Sequence, residues 1–418
     1  MKIKEAQCAY EPEPFKYAFG FKGSSLTGVW QTAVRLSDGE NTGLGLGVQS
    51  VLWSDNSIFA FYGEDKSNKL MFSVTEYAVN YIKGGEFSDP HELLDMIFPK
   101  AYEFAKSLCG DKVTETFVLN ALVPVDFASW MLYKKAQNFN SFDSIFKGVG
   151  KAEKLANIPL ITYNTPVEQV KKMADEGTGI FKIKIGSDPD KDGDLKKMLL
   201  WDKARIKNIN DALKNSSTPY TETGKPVYYF DANGRYDSRE RLIDLIEFMD
   251  KEGILESTVL FEEPFEQGNK IFIGDLPLSF AADESAHSMK DVKERIYLGY
   301  NTITLKPVAK TLSITKDMAE YAIKNNVQCF CADLTVNPVM VQWNKNFAAR
   351  LPNIKGMRIG ILESNGAQNY VNWEKMLSYM TYEDDGFSHS VFCLDNHFYQ
   401  KNGGIFEMPE HYSELFKR

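Results

Sequence analysis

Charged residues end five consecutive strand-like segments in the middle of the chain. The segments are FKIKIG, VYYFDAN, VLFEEP, SFAADES and TITLKP, and the charged residues are Lys182, Lys184, Asp231, Glu262, Asp283 and Lys306. Three carboxylates between two sets of lysines could hold a divalent cation, bind a substrate carboxylate on it, and move a proton at the adjacent carbon. These residues form the candidate site.

The three carboxylates predict a metal site. Residues at the ends of successive parallel strands are neighbours in space, so three unpaired carboxylates would repel one another strongly. A hard cation relieves this repulsion, and Mg²⁺ accepts few carboxylates while keeping positions open for substrate. Mn²⁺ is expected to substitute for it. The alternative is that each acid caps a helix or pairs with a nearby lysine.

The lysines predict proton transfer. Lys182 and Lys184 are two residues apart, so both point away from the apolar side that Ile183 and Ile185 occupy. The alternative is an exposed edge strand with both lysines in water. Lys306 is expected across the site from Lys184, so that a proton could leave one face of a bound carbon and return on the other. We expect nearby cations to lower the lysine pKa towards working pH.

Alternating strands and helices are expected to position these residues. From about Ile158, eight β-rich runs alternate with amphipathic helical stretches, which predicts an α/β fold with a (β/α)8 barrel of the TIM type. The segment from Gly186 to Val227 is longer than its neighbours, and its polar stretch NSSTPYTETGKP is expected to be a surface insertion. Cys329 and Cys331 share a strand face and are expected in the barrel interior rather than at a zinc site.

The two ends of the chain do not follow the barrel pattern. The Asp-Gly turn in WQTAVRLSDGENTGLGLGVQS predicts a hairpin, and two helical stretches follow it. After about Tyr382 the sequence is again β-like and rich in turns, and it is expected to pack onto the first domain. The predicted domains are an α+β capping domain at 1–150, the barrel at 151–381, and a C-terminal return to the capping domain at 382–418.

Composition limits the partners and the compartment. The chain has 418 residues and a net charge of −9, and an acidic surface repels nucleic acid. Its five cysteines are scattered, which indicates a reducing cytoplasm rather than a disulfide framework. We expect no signal peptide and no membrane span. The expected partner is a small-molecule carboxylate, and the expected assembly is a homo-oligomer.

Taken together, the motifs resemble the enolase superfamily, in its mandelate racemase/muconate lactonizing enzyme family and the muconate-lactonizing-enzyme-like group. FKIKIG resembles the Lys-x-Lys strand, DAN, EEP and ADES the three metal-ligand strands, and TLKP the strand of the opposing lysine. The resemblance implies bases at Lys184 and Lys306 and metal ligands at Asp231, Glu262 and Asp283. The family's Glu-x-Pro pattern selects the first glutamate of EEP. A modified barrel capped by an α+β domain from both chain ends is also implied.

The resemblance further suggests supporting roles. Asn233 is expected to orient the metal ligand that precedes it or the second lysine of the Lys-x-Lys strand. Glu284 is expected to pair with Lys306. Lys182 is expected to act with the catalytic lysines by neutralising the substrate carboxylate. Simple packing is the alternative for each of these three residues.

Several positions of this sequence differ from the motifs found in groups of this superfamily. The seventh run, VQCFCAD, has no histidine, so the His-Asp pair of the mandelate-racemase-like branch is missing. Dipeptide epimerases often carry Asp-x-Asp on the eighth strand to hold the substrate ammonium, whereas this chain has Ile361 and Glu363 there. Glu363 is expected to contact substrate or to form a salt bridge, and Ala-Glu epimerisation is disfavoured. The stretch AFGFKGSSL is expected to be a mobile lid, and Trp53 an apolar wall or core residue.

The leading interpretation is an Mg²⁺-dependent racemase or epimerase of an amino-acid-like or N-acyl acid, working through an enediolate. One alternative is a lyase on the same scaffold, either a dehydratase or o-succinylbenzoate-synthase-like, and cycloisomerisation is a further variant. Another alternative, from a different class, is a non-catalytic barrel that only binds.

Overall fold

The computed structural model describes residues 1–383 and 386–417. The strands are β1 (Glu5–Phe21), β2 (Ser24–Ser37), β3 (Thr42–Gln49), β4 (Lys154–Ile158), β5 (Leu160–Ile161), β6 (Ile180–Lys184), β7 (Val227–Asp231), β8 (Thr258–Glu262), β9 (Phe280–Ala282), β10 (Thr302–Leu305), β11 (Gln328–Cys331), β12 (Gly360–Glu363) and β13 (Val391–Cys393). The α-helices are α1 (Val51–Ser54), α2 (Asn56–Tyr62), α3 (Glu64–Ile82), α4 (Pro90–Cys109), α5 (Glu115–Ala136), α6 (Val167–Asp175), α7 (Leu195–Leu213), α8 (Arg239–Lys251), α9 (Met289–Tyr297), α10 (Pro307–Lys310), α11 (Leu312–Lys324), α12 (Pro338–Ala348), α13 (Gly366–Asn369), α14 (Trp373–Leu377), α15 (Asn396–Lys401) and α16 (Glu410–Glu414).

Strands β4 to β12 form a parallel barrel, which confirms the predicted fold. Their order is β4-β12-β11-β10-β9-β8-β7-β6-β5. β4 pairs with β12 and β5 pairs with β6, so the sheet closes on itself. Pro159 lies between β4 and β5 and has no N–H to donate, so it divides the first barrel strand into two pieces. This strand begins at Lys154, ahead of the run that predicted it.

Side chains alternate between the barrel interior and the surrounding helices. Tyr229 and Phe330 pack inside the barrel, with ring centroids 5.3 Å apart, whereas Ile183 packs in the outer layer. Cys329 and Cys331 also belong to the outer layer, so the prediction that they face the interior is wrong. Phe330 takes the interior position of β11, and its two neighbours must then face the helices.

An antiparallel sheet of β1, β2 and β3 precedes the barrel. β1 and β2 join through Lys22 and Gly23, which both have left-handed backbone conformations (φ 48° and 74°), as a two-residue hairpin turn requires. The hairpin predicted around the Asp-Gly turn is confirmed as β2 and β3. Helix α5 packs directly on β3. A Cβ atom at Gly45 would lie 2.2 Å from the backbone nitrogen of Ala128, so this close packing requires glycine.

Helix α5 links the capping sheet to the barrel. Within the part of the chain that the structure describes, it is the one helix long and apolar enough to cross a membrane, and 94% of that stretch is buried inside the protein. The sequence was expected to contain no such stretch. Asp126 on this helix accepts hydrogen bonds from the backbone N–H groups of Leu312 (2.8 Å) and Ser313 (3.1 Å) at the start of α11. Burial raises the pKa of Asp126 to about 6.

The polar stretch after α7 was expected to be a surface insertion, and this is only partly correct. Thr221 is fully buried and forms a β-bridge with Met357. Met357 packs in the same cluster as Ile180 and Val227, which begin β6 and β7. The stretch therefore lies at the amino-terminal end of the barrel, opposite the mouth, where Thr218 and Thr221 are buried.

The C-terminal residues contact both parts of the molecule. Strand β13 pairs antiparallel with β4 of the barrel. Farther along, His411 Nε2 lies 2.7 Å from Glu11 Oε1 on β1. The C-terminal segment thus runs from the barrel back to the capping sheet.

Candidate active site

The strand register brings the charged residues to one end of the barrel. Lys184 lies beside Asp231, and Asp231 lies beside Glu262, on β6, β7 and β8. Asp283 follows β9 and Lys306 follows β10, and all five residues are buried. Because β6 and β10 are the second and sixth of eight barrel strands, the two lysines lie on opposite walls. The three carboxylate-bearing strands lie between them.

Lys182 is surrounded by protein carboxylates. Its Nζ lies 3.0 Å from Asp231 Oδ2, 3.1 Å from Glu262 Oε1 and 3.1 Å from Glu363 Oε2. Burial alone would lower the pKa of Lys182, but these carboxylates outweigh it and raise the pKa well above its ordinary value. The raised pKa favours the ammonium form of Lys182, which suits charge neutralisation.

Asn233 joins Lys184 to the first carboxylate. Lys184 Nζ donates to Asp231 Oδ2 and to Asn233 Oδ1, each at 2.6 Å. The backbone N–H of Asn233 donates to Asp231 Oδ1 at 3.0 Å, and its side-chain amide donates to Glu284 Oε1 at 3.1 Å. The left-handed φ of 44° at Asn233, which asparagine tolerates better than most residues, allows these contacts together. Asn233 thus contacts both groups that it was expected to orient.

Lys306 is held by Asp283 and Trp53. Its Nζ lies 2.5 Å from Asp283 Oδ2 and 4.5 Å from the centroid of the Trp53 ring, while Trp53 Nε1 donates to the same Oδ2 at 3.2 Å. Glu284 does not take the expected place beside Lys306, because it pairs with Lys22 at 3.0 Å. Burial lowers the pKa of Lys306, but the carboxylates, Asp283 foremost, raise it overall. This direction is opposite to the one expected.

A fourth lysine that the sequence analysis missed also contacts Asp283. Lys310 is fully buried, and its Nζ lies 3.2 Å from Asp283 Oδ1. It donates to the backbone carbonyl oxygens of Asp283 at 2.6 Å and of Thr304 at 3.3 Å. The available signal was a lysine one helical turn after Lys306 in an otherwise apolar stretch.

The two glutamates of EEP have different surroundings. Glu262 faces the barrel interior, where its Oε2 accepts hydrogen bonds from the hydroxyls of Tyr229 and Thr304. Glu263 has a left-handed φ of 41° and accepts the backbone N–H of Asp283 at 2.7 Å. Burial, with Glu284 as the next cause, raises the pKa of Glu263 to about 8. Glu262 is therefore the one that joins the other site carboxylates.

The three carboxylates offer the donor type that a divalent cation such as Mg²⁺ prefers. Among the residues described, no three His, Cys, Asp or Glu side chains converge to hold a metal ion, because the carboxylate oxygens turn to the lysines. Lys182 and Lys184 outweigh burial and lower the pKa of Asp231 to about 2, and Lys306 leads the groups that lower that of Asp283. Both carboxylates are held in the ionised form, and Asp283 Oδ1 accepts no hydrogen bond although the Lys310 ammonium lies 3.2 Å away. Binding requires these oxygens to turn from ammonium groups to the cation.

A small cavity of about 40 Å³ lies at these residues. The tip of the β1–β2 hairpin, which contains the stretch expected to be a lid, meets the site from the capping side. Besides the lysines and carboxylates, the lining side chains are Phe15, Phe19, Leu26, Val29, Ser50, Trp53, Leu160, Asn233, Leu334, Thr335 and Asn365. A small molecule that reaches the lysines and carboxylates would contact this mostly apolar wall.

Comparisons with known proteins identify the fold through structures alone. No family model and no curated protein matches the chain. The N-succinyl Arg/Lys racemase from Bacillus cereus matches with a TM-score of 0.69 and 15% identity, over 100% of this chain and 98% of that one. A dipeptide epimerase from Enterococcus faecalis, complexed with Mg and L-Leu-L-Tyr, matches with a TM-score of 0.67 and 15% identity, over 94% and 98%.

A member of the enolase superfamily from Listeria innocua also matches, with a TM-score of 0.64 and 17% identity, over 99% of this chain and 96% of that one. These matches run along nearly the full length of both chains, so they include the capping part as well as the barrel. The fold expected from the resemblance is therefore confirmed. Identities this low establish the fold and leave the reaction to the site.

Proposed function

We propose that the chain is an enolase-superfamily type of isomerase that removes and returns the α-proton of a small carboxylate, acting as a racemase or epimerase. The observation that carries this proposal is the arrangement of Lys184 and Lys306 on opposite walls of the barrel, with three carboxylate-bearing strands between them. The neighbouring structures, which include a racemase and a dipeptide epimerase, support it.

Asp231, Glu262 and Asp283 would hold Mg²⁺, with Mn²⁺ as the expected substitute. When bound, the cation supplies positive charge for the substrate carboxylate and for the charge that develops as the α-proton leaves. One neighbouring structure contains Mg, which supports this assignment. The carboxylate oxygens are the donors that Mg²⁺ prefers.

The protein's own residues divide the remaining work. Lys184, held by Asn233, would exchange the proton on one face of the α-carbon, and Lys306 would exchange it on the other. Asp283 contributes most among the carboxylates that raise the pKa of Lys306. If Asp283 turned to another partner, the pKa of Lys306 would fall, which favours the neutral amine that a base needs. Lys182 stays charged and would neutralise a carboxylate oxygen.

A one-base elimination is the second candidate. The ion pair of Lys306 with Asp283 and its position over the Trp53 ring favour a lysine that stabilises charge as an ammonium ion without moving a proton. Lys184 would then act alone, and a leaving group at the β-carbon would depart. Such a lyase would yield an unsaturated or keto product.

Proton exchange in D₂O tests the proposal. N-acyl amino acids and dipeptides of both configurations are incubated with the protein and Mg²⁺, and ¹H NMR follows the α-proton. We expect deuterium at the α-carbon together with racemisation. The Lys306→Ala variant should lose racemisation while keeping exchange for one enantiomer, and Lys184→Ala should keep it for the other. Lys69→Ala, at an exposed lysine of α3, is the matched control and should behave as wild type.

The outcomes separate the candidates. An unsaturated product without racemisation would establish the lyase instead. If no acid in the panel gains deuterium, and Asp231→Asn binds Mg²⁺ as tightly as wild type by calorimetry, the chain is a barrel that only binds. Calorimetry reports on the metal site without relying on turnover.

The remaining expectations stay predictions. They are a homo-oligomeric assembly, a cytoplasmic location, a small-molecule partner rather than nucleic acid, and the domain limits 1–150, 151–381 and 382–418. The neighbour with a bound dipeptide supports the small-molecule partner.

A further inference from the structure

We infer that the substrate is a carboxylic acid whose distal group is apolar and uncharged, so that acids with aliphatic or aromatic side chains are preferred over those with ammonium, guanidinium or carboxylate side chains. This inference rests on the proposed function and deepens it by naming the substrate class. It comes from the cavity wall outside the charged cluster.

The wall is built from apolar side chains of two separate parts of the chain. Phe15, Leu26 and Val29 come from the β1–β2 hairpin, Leu160 begins β5, and Leu334 lies in the loop after β11. Each is at most 7% exposed. A charged group placed against this wall would lose water and gain no partner, whereas an apolar group would gain by leaving water.

The acidic groups that line the cavity are already engaged by the protein. Glu363 contacts Lys182 Nζ at 3.1 Å, the Asn365 side-chain amide at 3.3 Å and the backbone N–H of Asp333 at 3.4 Å. Asp333 in turn accepts the backbone N–H groups of Asn365 at 2.8 Å and Val336 at 3.4 Å. Glu363 is thus already paired with a cation, and both oxygens of Asp333 accept backbone N–H groups.

The eighth barrel strand supplies no second acid. Ile361 lies two residues before Glu363 and packs in the apolar cluster inside the barrel. Glu363 is therefore the one acidic side chain that this strand presents to the cavity. The fixed positive charges, Lys182 above all, face the reacting carboxylate end, so an acidic distal group would also find no dedicated partner at the wall.

One polar atom on the wall is unpartnered. The side-chain oxygen of Asn365 is buried, has no hydrogen-bond partner and belongs to a residue that lines the cavity. It could accept a hydrogen bond from an amide N–H. An N-acylated amino acid with an apolar side chain carries this donor beside the α-carbon, together with the carboxylate and the apolar group.

A matched panel tests the inference. N-acetyl-leucine, N-acetyl-phenylalanine, N-acetyl-lysine and N-acetyl-glutamate are compared with Mg²⁺ present, by α-deuteration in D₂O and by calorimetric affinity. We expect kcat/KM and affinity to be about tenfold to hundredfold higher for the two apolar acids. The Leu334→Asp variant should have a higher kcat/KM and affinity for N-acetyl-lysine relative to N-acetyl-leucine than the wild-type protein has. Leu195→Asp, at an exposed leucine of α7, is the control and should leave the ratio unchanged.

The two readouts separate this inference from the proposed function. The expected affinity ranking without deuteration for any acid would support the inference and refute the proposed function. The inference would be overturned if the wild-type protein bound and exchanged N-acetyl-lysine or N-acetyl-glutamate as well as the two apolar acids or better. This result does not depend on whether the Leu334→Asp variant folds.

Discussion

At the scale of single residues, the buried charges of the site are matched one against another. The lysines are Lys182, Lys184, Lys306 and Lys310, and the carboxylates that they contact are Asp231, Glu262, Asp283 and Glu363. A buried charge without a partner costs several kcal/mol. Removing one lysine or carboxylate of the site therefore leaves its partner as an unpaired buried charge and lowers the stability of the fold. Lys310 tests this balance most directly, because no proton transfer is assigned to it.

Lys310→Met should lower the free energy of unfolding by about 3 kcal/mol, because it breaks a buried pair and leaves Asp283 Oδ1 without a cation. Urea unfolding measures this change. Lys69→Met on α3 is the control, since its pair with Asp65 is exposed, and it should cost less than about 1 kcal/mol. Equal costs for the two variants would show that Lys310 does not hold Asp283.

The sequence predicted the residues that lie on barrel strands better than those that reach the site from elsewhere. Lys184, Asp231 and Glu262 end successive runs, so the periodicity of the runs places them together. Trp53 donates to Asp283 across 230 residues of chain, and no local pattern records such a contact. The same limit applies to Lys22, which reaches Glu284 from the tip of a hairpin.

At the scale of elements, the β1–β2 hairpin is fastened to the barrel at its tip. Lys22 Nζ donates to the backbone carbonyl oxygen of Trp53 at 2.8 Å and pairs with Glu284 Oε1 at 3.0 Å. Through Glu284 and Asn233 this tip connects to Lys184. The stretch predicted to be a lid is thus closed over the site in this structure, and opening must break an ion pair.

Glu284→Gln should speed trypsin cleavage after Lys22 by about tenfold or more, because loss of the charge weakens a hydrogen bond of the charged type by over 1 kcal/mol. Mass spectrometry of the fragments measures the rate at this one bond. Glutamine keeps the oxygen that accepts from Asn233. Glu86→Gln, in an exposed pair with Lys2, is the control. An unchanged rate at Lys22 would mean that Glu284 does not hold the tip.

The errors at the element scale have physical causes. The eight runs predicted the barrel because strand and helix periodicities alternate regularly. The predicted orientation of the β11 side chains was wrong. The strand ends at Cys331, so the alternation of side chains between its two faces stops there. Asp333, which lines the cavity, lies in the loop beyond the strand. Thr221 looked like part of a surface loop, but a β-bridge to Met357 buries it, and such pairing depends on the closed barrel.

At the scale of the whole molecule, buried carboxyl groups behind the site make stability depend on pH. Asp202 on α7 accepts hydrogen bonds from the Gly186 backbone N–H at 2.7 Å and the Tyr236 hydroxyl at 2.9 Å. Burial nevertheless raises its pKa from 3.8 to about 7. The folded protein therefore binds this proton more tightly than the unfolded chain does. The resulting stability is fully present below the unfolded pKa and is lost as pH rises through about 7.

Asp202→Asn, which cannot ionise, should lose less stability than wild type between about pH 5 and about pH 8, by up to about 1.4 kcal/mol for each pH unit over which Asp202 titrates. Urea unfolding at a series of pH values measures the slope. Asp211→Asn on the exposed side of α7 is the control and should keep the wild-type slope. Other buried acids with raised pKa values, such as Asp333, contribute equally to both proteins and cancel in the comparison. Parallel slopes for wild type and Asp202→Asn would show that Asp202 is already ionised in the folded protein, with Gly186 and Tyr236 offsetting its burial.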